Sequence, residues 1–151
     1  MNKKTFSPEE TFSFAEEFAG SLSAGDVICM YGDLGAGKTL FAQGIAKGLG
    51  VAENVNSPTF TIVNEYDGNL PFYHFDVYRI ADPDEMYEIG FDEYLFGEGV
   101  CLIEWAELIE ELLPYPRISI TITRDPENPE SARNIKIERL TNGGSHEGSR
   151  S

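Results

Sequence analysis

The run Gly32-Asp33-Leu34-Gly35-Ala36-Gly37-Lys38-Thr39 fits the pattern G-x-x-x-x-G-K-[ST] in full. Its chemistry is phosphate binding. Glycines let successive backbone N–H groups turn inward around an anion. A helix starting where the loop ends adds the partial positive charge of its N-terminus. Lys38 supplies a point charge for terminal phosphates, and the Thr39 hydroxyl suits Mg²⁺ as a ligand. A chance glycine-rich turn is the alternative, but the apolar run before this loop and the helix-forming run after it are the context that phosphate binding requires. The spacing therefore predicts a nucleotide held by Gly35, Ala36, Gly37, Lys38 and Thr39. It also predicts a lysine that is exposed when the site is empty and contributes little to packing.

A nucleotide-bound Mg²⁺ needs carboxylate support, usually from the end of a neighbouring apolar strand. Glu104 directly follows Val100 to Ile103, and Asp76 follows Phe72-Tyr73-His74-Phe75. Either is suited to the metal, and the alternative for both is a solvated strand end. Trp105, the sole tryptophan, belongs either to the site or to the core. His74 reads as a general base or as a structural histidine. Arg79 reads as an internal arginine finger or as half of a surface ion pair. Ser57-Pro58-Thr59-Phe60 lies where a polar loop senses a γ-phosphate, or is an ordinary turn before a strand.

These residues need elements to position them. Pro8 to Leu22 reads as a helix, with Ser7 as cap, Pro8 at the first position and Glu10 completing a capping box. Thr11, Phe14, Ala15, Phe18 and Leu22 recur at helical spacing. Val27 to Tyr31 and Val100 to Ile103 are continuous apolar runs, as expected of parallel strands covered on both faces. Lys38 to Leu49 reads as a helix. Thr59 to Tyr66 and Leu70 to Asp76 flank Asp67-Gly68-Asn69, a hairpin signal. A helix is expected from Asp82-Pro83-Asp84-Glu85 to about Gly90, and a short one ending at Leu113. Ile118 to Thr123 and Asn134 to Leu140 alternate apolar and polar residues around a turn, predicting a second hairpin. From Thr141 the chain is Gly/Ser-rich and is expected to be disordered, leaving residues 1–140 as one domain. The expected class is α/β, a P-loop NTPase-like three-layer sandwich whose mixed sheet joins a parallel core to antiparallel hairpins. Strand order is not readable.

Composition sets the outer bounds. The chain has 151 residues, 41% of them hydrophobic and 12% aromatic, enough for a core and too apolar for intrinsic disorder. Lys plus Arg number 11 against 26 Asp plus Glu, a net charge of −15. Such a chain is repelled by a phosphate backbone, so tRNA or other nucleic acid is at most an indirect partner. No apolar run approaches a membrane span and no signal-peptide pattern opens the chain, so a soluble cytoplasmic protein is expected. Cys29 and Cys101 sit inside apolar runs and read as buried free thiols, with metal or redox work as the alternative.

The P-loop, Ser57-Pro58-Thr59-Phe60, His74-Phe75-Asp76-Val77-Tyr78-Arg79 and Leu102-Ile103-Glu104-Trp105, taken in this order, resemble the TsaE (YjeE) family, bacterial ATPases of tRNA threonylcarbamoyladenosine synthesis. The resemblance spans about Ser7 to Leu140. It implies a small α/β P-loop fold that binds ATP and ADP with Mg²⁺. It also implies action on a complex of two partner proteins, TsaB and TsaD, which the ATPase resets between turnovers. By this likeness Lys38 and Thr39 hold phosphates and metal, Glu104 ligates Mg²⁺, Asp76 is the catalytic-site carboxylate and Thr59 belongs to a switch loop. Trp105 borders the nucleotide, Thr11 lies by the base and Arg133 lies near the nucleotide in the last hairpin. A small-molecule kinase is one rival, but among the arginines only Arg79 falls in a nucleotide-site motif. A GTPase should carry an N-K-x-D segment, and none follows the P-loop. A nucleotide-dependent interaction module is the remaining alternative.

Overall fold

The computed structural model describes residues 1–32, 37–56, 58 and 62–141. Among these residues seven strands form one sheet, in the order β1-β7-β6-β2-β5-β4-β3. β2 (Val27–Gly32) lies parallel to β5 (Val100–Glu104) and to β6 (Arg117–Arg124), and β5 is parallel to β4 (Phe72–Asp76). This parallel core is flanked by the antiparallel pairs β3 (Val63–Tyr66) with β4 and β6 with β7 (Arg133–Leu140). Both hairpins expected from sequence are present, and so is the mixed α/β sandwich. The part of the first hairpin expected over 59–61, and the tail expected to be disordered from Thr141, fall almost wholly outside the described residues.

β2 and β5 read as unbroken apolar runs because both faces are covered. On one face Ile28, Met30, Leu102, Phe72 and Ile120 pack under α1 (Pro8–Ala19) and α2 (Lys38–Gly48). On the other, Cys29, Phe75, Cys101 and Ile103 pack under α3 (Glu85–Glu88), α4 (Phe91–Leu95) and a 3-10 helix, Ala106–Leu112. Alternation along each strand sends odd and even residues to opposite layers. Both cysteines are buried and free, and burial pushes each thiol up to about 12. They are inert core residues at neutral pH.

Local signals explain most element boundaries. Ser7 caps α1 by accepting from the Glu10 N–H at 3.1 Å. The Glu10 carboxylate accepts from the Phe6 N–H at 3.0 Å, one residue earlier than an ideal capping box. α1 ends at Ala19, not Leu22, where the Gly20 N–H bonds back to the Glu17 carbonyl and the Ser21 N–H to the Phe18 carbonyl. At Asp82 half of the expected capping box forms: its N–H donates to Glu85 Oε2 at 3.2 Å, while its own Oδ1 accepts from the Asp84 N–H at 2.9 Å. These bonds close a turn there, and the helix proper is only Glu85–Glu88. β1 (Asn2–Thr5) was not expected from sequence. It pairs antiparallel with β7 at the sheet edge, and its polar Asn2-Lys3-Lys4 run suits an edge strand that must resist further pairing.

α2 lies directly against α1. A Cβ on Gly44 would stand 2.6 Å from the Ala15 Cβ and 2.7 Å from the Phe12 carbonyl oxygen, and one on Gly48 would stand 2.5 Å from the Glu16 carbonyl oxygen. The glycines permit this close crossing, which fixes where α2 begins. Gly→Ala inside a helix normally stabilises by about 1 kcal/mol. At Gly44 the clash is expected to outweigh that gain, since overpacking costs about 1–3 kcal/mol. Gly44→Ala should therefore lower the melting temperature by roughly 2–8 °C. Thermal unfolding followed by circular dichroism checks this, and an unchanged or raised midpoint would refute the tight crossing.

Candidate functional site

The site forms where β2, β5 and β4 end together. Gly32 closes β2 with φ +136°, and any Cβ there would lie 2.1 Å from the Ile122 carbonyl oxygen. Only glycine fits at that point. Across the residues 33–36, which lie outside the described set, Gly37 adopts a left-handed conformation (φ 104°) and starts α2 with no side-chain cap. α1 by contrast has Ser7 as its cap and Glu9 and Glu10 in its first turn. The first turn of α2 thus has neither a capping side chain nor an acidic residue of its own, which leaves the partial positive charge of the helix end uncompensated by the helix itself. Of the expected phosphate-binding residues, Gly35 and Ala36 lie outside the described residues, as does Thr59. Gly37, Lys38 and Thr39 stand at the head of α2.

Lys38 departs from expectation. It is buried, 6% exposed. Its Nζ donates to the Gly32 carbonyl at 3.0 Å and sits 4.2 Å from the centroid of the Trp105 ring. A cation held over an indole is worth about 0.5–2 kcal/mol, so this lysine contributes to packing as well as to charge. Trp105 reaches it because of its own backbone. With φ 63° it is the non-glycine residue in left-handed conformation among those described, a strain of about 1–2 kcal/mol. That turn bends the chain sharply off β5 into the 3-10 helix. Tyr78, 60% exposed, also packs on the indole, at 4.7 Å between ring centroids. Trp105 is therefore part of the site wall and only partly buried.

The carboxylates come from adjacent strand ends. Asp76 and Glu104 are register partners in the parallel β4–β5 pair, and Glu104 is also the partner of Met30 on β2. Glu104 is 4% exposed, and its Oε2 lies 2.6 Å from His74 Nε2. His74 is fully buried two residues before Asp76, which makes a solvent-facing general base the wrong reading of it. Asp76 is half-buried and accepts from the Tyr78 N–H at 3.0 Å. Desolvation pushes its carboxyl above the ordinary range, with the Glu104 charge adding to it. The Tyr78 N–H, His74 and Lys38 act in the opposite sense. Arg79 follows on the exposed turn after β4.

The remaining two candidates lie at the β1–β7 side. Arg133 pairs with Thr5, and its Nε lies 4.0 Å from where a Gly37 Cβ would stand, so it borders the start of α2. Thr11 is buried at 1% exposure and shares a 2.6 Å hydrogen bond with the Thr5 hydroxyl. It meets this edge through Thr5 and does not face open solvent. Sequence reasoning overlooked Thr5, because β1 has no apolar pattern, and Tyr78. The signal for Tyr78 was available, since alternation along the chain from Asp76 points to it.

Comparison with known proteins followed the same line. The family model for the threonylcarbamoyl adenosine biosynthesis protein TsaE matches residues 5–135. The chain is 56% identical over 122 residues to the tRNA threonylcarbamoyladenosine biosynthesis protein TsaE of Bacillus subtilis (strain 168), covering 80% of this chain and 76% of that protein. It is 40% identical over 116 residues to the protein of the same name from Treponema pallidum (strain Nichols), covering 77% of this chain and 86% of that one. Among solved structures, the crystal structure of Bacillus subtilis YdiB is similar, with a TM-score of 0.76 at 44% identity, covering 93% of this chain and 85% of that chain.

The raised pKa of Asp76 makes a stability prediction. An aspartate with a folded-state pKa above its unfolded value binds its proton more tightly when folded. Ionisation then destabilises the fold, fully so above the folded pKa and not at all below the unfolded one. Asp76→Asn keeps an acceptor for the Tyr78 N–H and removes the charge. It should raise the melting temperature at about pH 7 and lose that advantage as the pH falls toward 3.8, the ordinary value. Thermal scans of both proteins across this range test it. A gain independent of pH, or a loss at neutral pH, would contradict a desolvated carboxylate.

Proposed function

Because this chain belongs to the TsaE family, we propose that it is a Mg²⁺-dependent P-loop ATPase of tRNA threonylcarbamoyladenosine biosynthesis, working in the cytoplasm to reset a complex of TsaB and TsaD. The observation that supports the reading best is the meeting of Lys38, Glu104 and Asp76 beside the start of α2, which has no side-chain cap. Phosphates suit that position because helix-end N–H groups and a lysine both favour anions. Gly35, Ala36, Gly37 and Lys38 would hold them, with Thr39 and Glu104 as ligands of Mg²⁺. Thr39 and Glu104 supply one hydroxyl and one carboxylate and not a closed cage, which suits an ion that dehydrates reluctantly. When bound, Mg²⁺ would neutralise phosphate charge.

The chain's own residues do the rest. Lys38 exchanges its hold on the Gly32 carbonyl and the Trp105 face for phosphate oxygens. Asp76, with Oδ1 fixed by the Tyr78 N–H, orients the attacking water and accepts its proton. Its raised pKa makes it a better base than an ordinary carboxylate. Trp105 and Tyr78 wall the site, and Arg133 borders it near Thr11. Thr59 belongs to the loop that responds to the γ-phosphate. A chain of net charge −15 docks on basic protein surface far more readily than on tRNA, which makes tRNA an indirect partner.

Hydrolysis by the isolated chain is expected to be slow. Arg79 is exposed and is the arginine that falls in a nucleotide-site motif. A well-placed arginine or an ordered switch loop is worth ~10³-fold or more in rate. Steady-state ATPase activity measured alone and with saturating TsaB and TsaD tests the coupling, and a fast rate unaffected by the partners would refute it. The division of metal and base roles has its own check. Glu104→Ala should raise the Mg²⁺ concentration needed for half-maximal activity about tenfold or more. Asp76→Ala should slow turnover with little change in that requirement. Superimposable Mg²⁺ titrations would overturn the assignment.

A further inference from the structure

His74 is a buried polar residue near the end of β4 to which the proposed reaction gives no part. It is fully buried on β4, on the sheet face that α1 and α2 cover, with Phe72 stacked at 6.1 Å and 27°. Its Nε2 lies 2.6 Å from Glu104 Oε2, while Nδ1 has no hydrogen-bond partner. Together these facts fix the tautomer of the neutral ring. A proton on Nδ1 would be a buried donor with nothing to bond, and the Nε2 lone pair would face a carboxylate oxygen. With the proton on Nε2, the short contact becomes a charge-assisted hydrogen bond, and the unpartnered nitrogen is an acceptor, which is less costly to leave bare.

The consequence falls on Glu104. Its side chain is long enough to swing between rotamers, and it stands at the last position of β5, next to the end of β2. Binding Oε2 to a ring that the core locks in place commits the carboxylate to one orientation. We infer that His74 is a positioning residue, whose Nε2–H holds the Glu104 carboxylate in the orientation that ligates the divalent cation. This rests on the reading of Glu104 as a metal ligand given above. Partners in the outer shell of a metal site change its affinity by roughly 10–100-fold when removed.

The test uses the full chain, Mn²⁺ and a non-hydrolysable ATP analogue, with affinity measured by calorimetry. The quantity read is the factor by which saturating Mn²⁺ tightens analogue binding. His74→Leu removes the donor and keeps apolar volume beside Phe72. His74→Gln places an amide N–H near the original Nε2. His74→Leu should reduce the Mn²⁺ factor about tenfold or more and leave metal-free analogue binding unchanged. His74→Gln should stay within about threefold of the wild type. Added to Glu104→Gln, His74→Leu should cause no further loss. Equal losses in the Leu and Gln variants, no loss in the Leu variant, or a full additional loss in the Glu104→Gln background would each overturn the inference and leave His74 as a core residue. Should His74→Leu fail to fold, His74→Asn replaces it: its shorter amide reaches the Nδ1 position only, so the loss is expected in Asn and not in Gln. A wild-type chain whose binding does not respond to Mn²⁺ at all would overturn the metal reading itself, and that result is visible before any variant is compared.

Discussion

Parallel pairing of β2, β5 and β4 is the constraint from which the site follows. Strands that run the same way must end at the same edge of the sheet. The register pairs Met30 with Glu104 and Glu104 with Asp76, so three strand ends and the turns after them open side by side. The loop after β2 leads to Lys38, the turn after β5 is Trp105, and the turn after β4 carries Tyr78. Ligand crevices at the carboxyl ends of parallel strands are the general outcome of this geometry. Here it draws together residues as far apart in the chain as Lys38 and Trp105.

The same pairing requires that both faces be covered, since parallel strands joined by crossovers carry helices above and below. The two layers have different tasks. α3, α4 and the 3-10 helix close one face with apolar side chains. α2 must also aim its N-terminus, and its axis is set by the backbone-to-backbone approach of Gly44 and Gly48 to α1. Small residues at that crossing thereby act on the N-terminal end of the helix, more than a turn away. Packing and positioning are one problem at that interface.

Strain and burial of charge concentrate where the chemistry is placed. Trp105 holds a left-handed backbone, Lys38 is almost fully buried against its ring, and Asp76 carries a carboxyl raised by desolvation. Each is unfavourable alone and persists because neighbours over-determine it. The Gly32 carbonyl and the indole satisfy the lysine, the Tyr78 N–H steadies Asp76, and His74 meets Glu104 at 2.6 Å. Such features usually trade stability for function.

The residue pattern alone determined the apolar strands, both hairpins and the placing of Asp76 and Glu104 at strand ends, and it carried the expectation of a phosphate-binding loop before α2. These are local: a loop sequence, a periodicity, a cap, each encoded within about a dozen neighbours. The structure decided what depends on contacts between distant segments. Strand order, the edge pairing of polar β1, the burial of Lys38 and the 2.6 Å contact of His74 with Glu104 join residues tens of positions apart. No periodicity encodes them. His74 looked equally suited to a base or a core role because an isolated imidazole has both chemistries. Its neighbours across the β4–β5 pair and within the core removed one choice by excluding water and supplying a carboxylate.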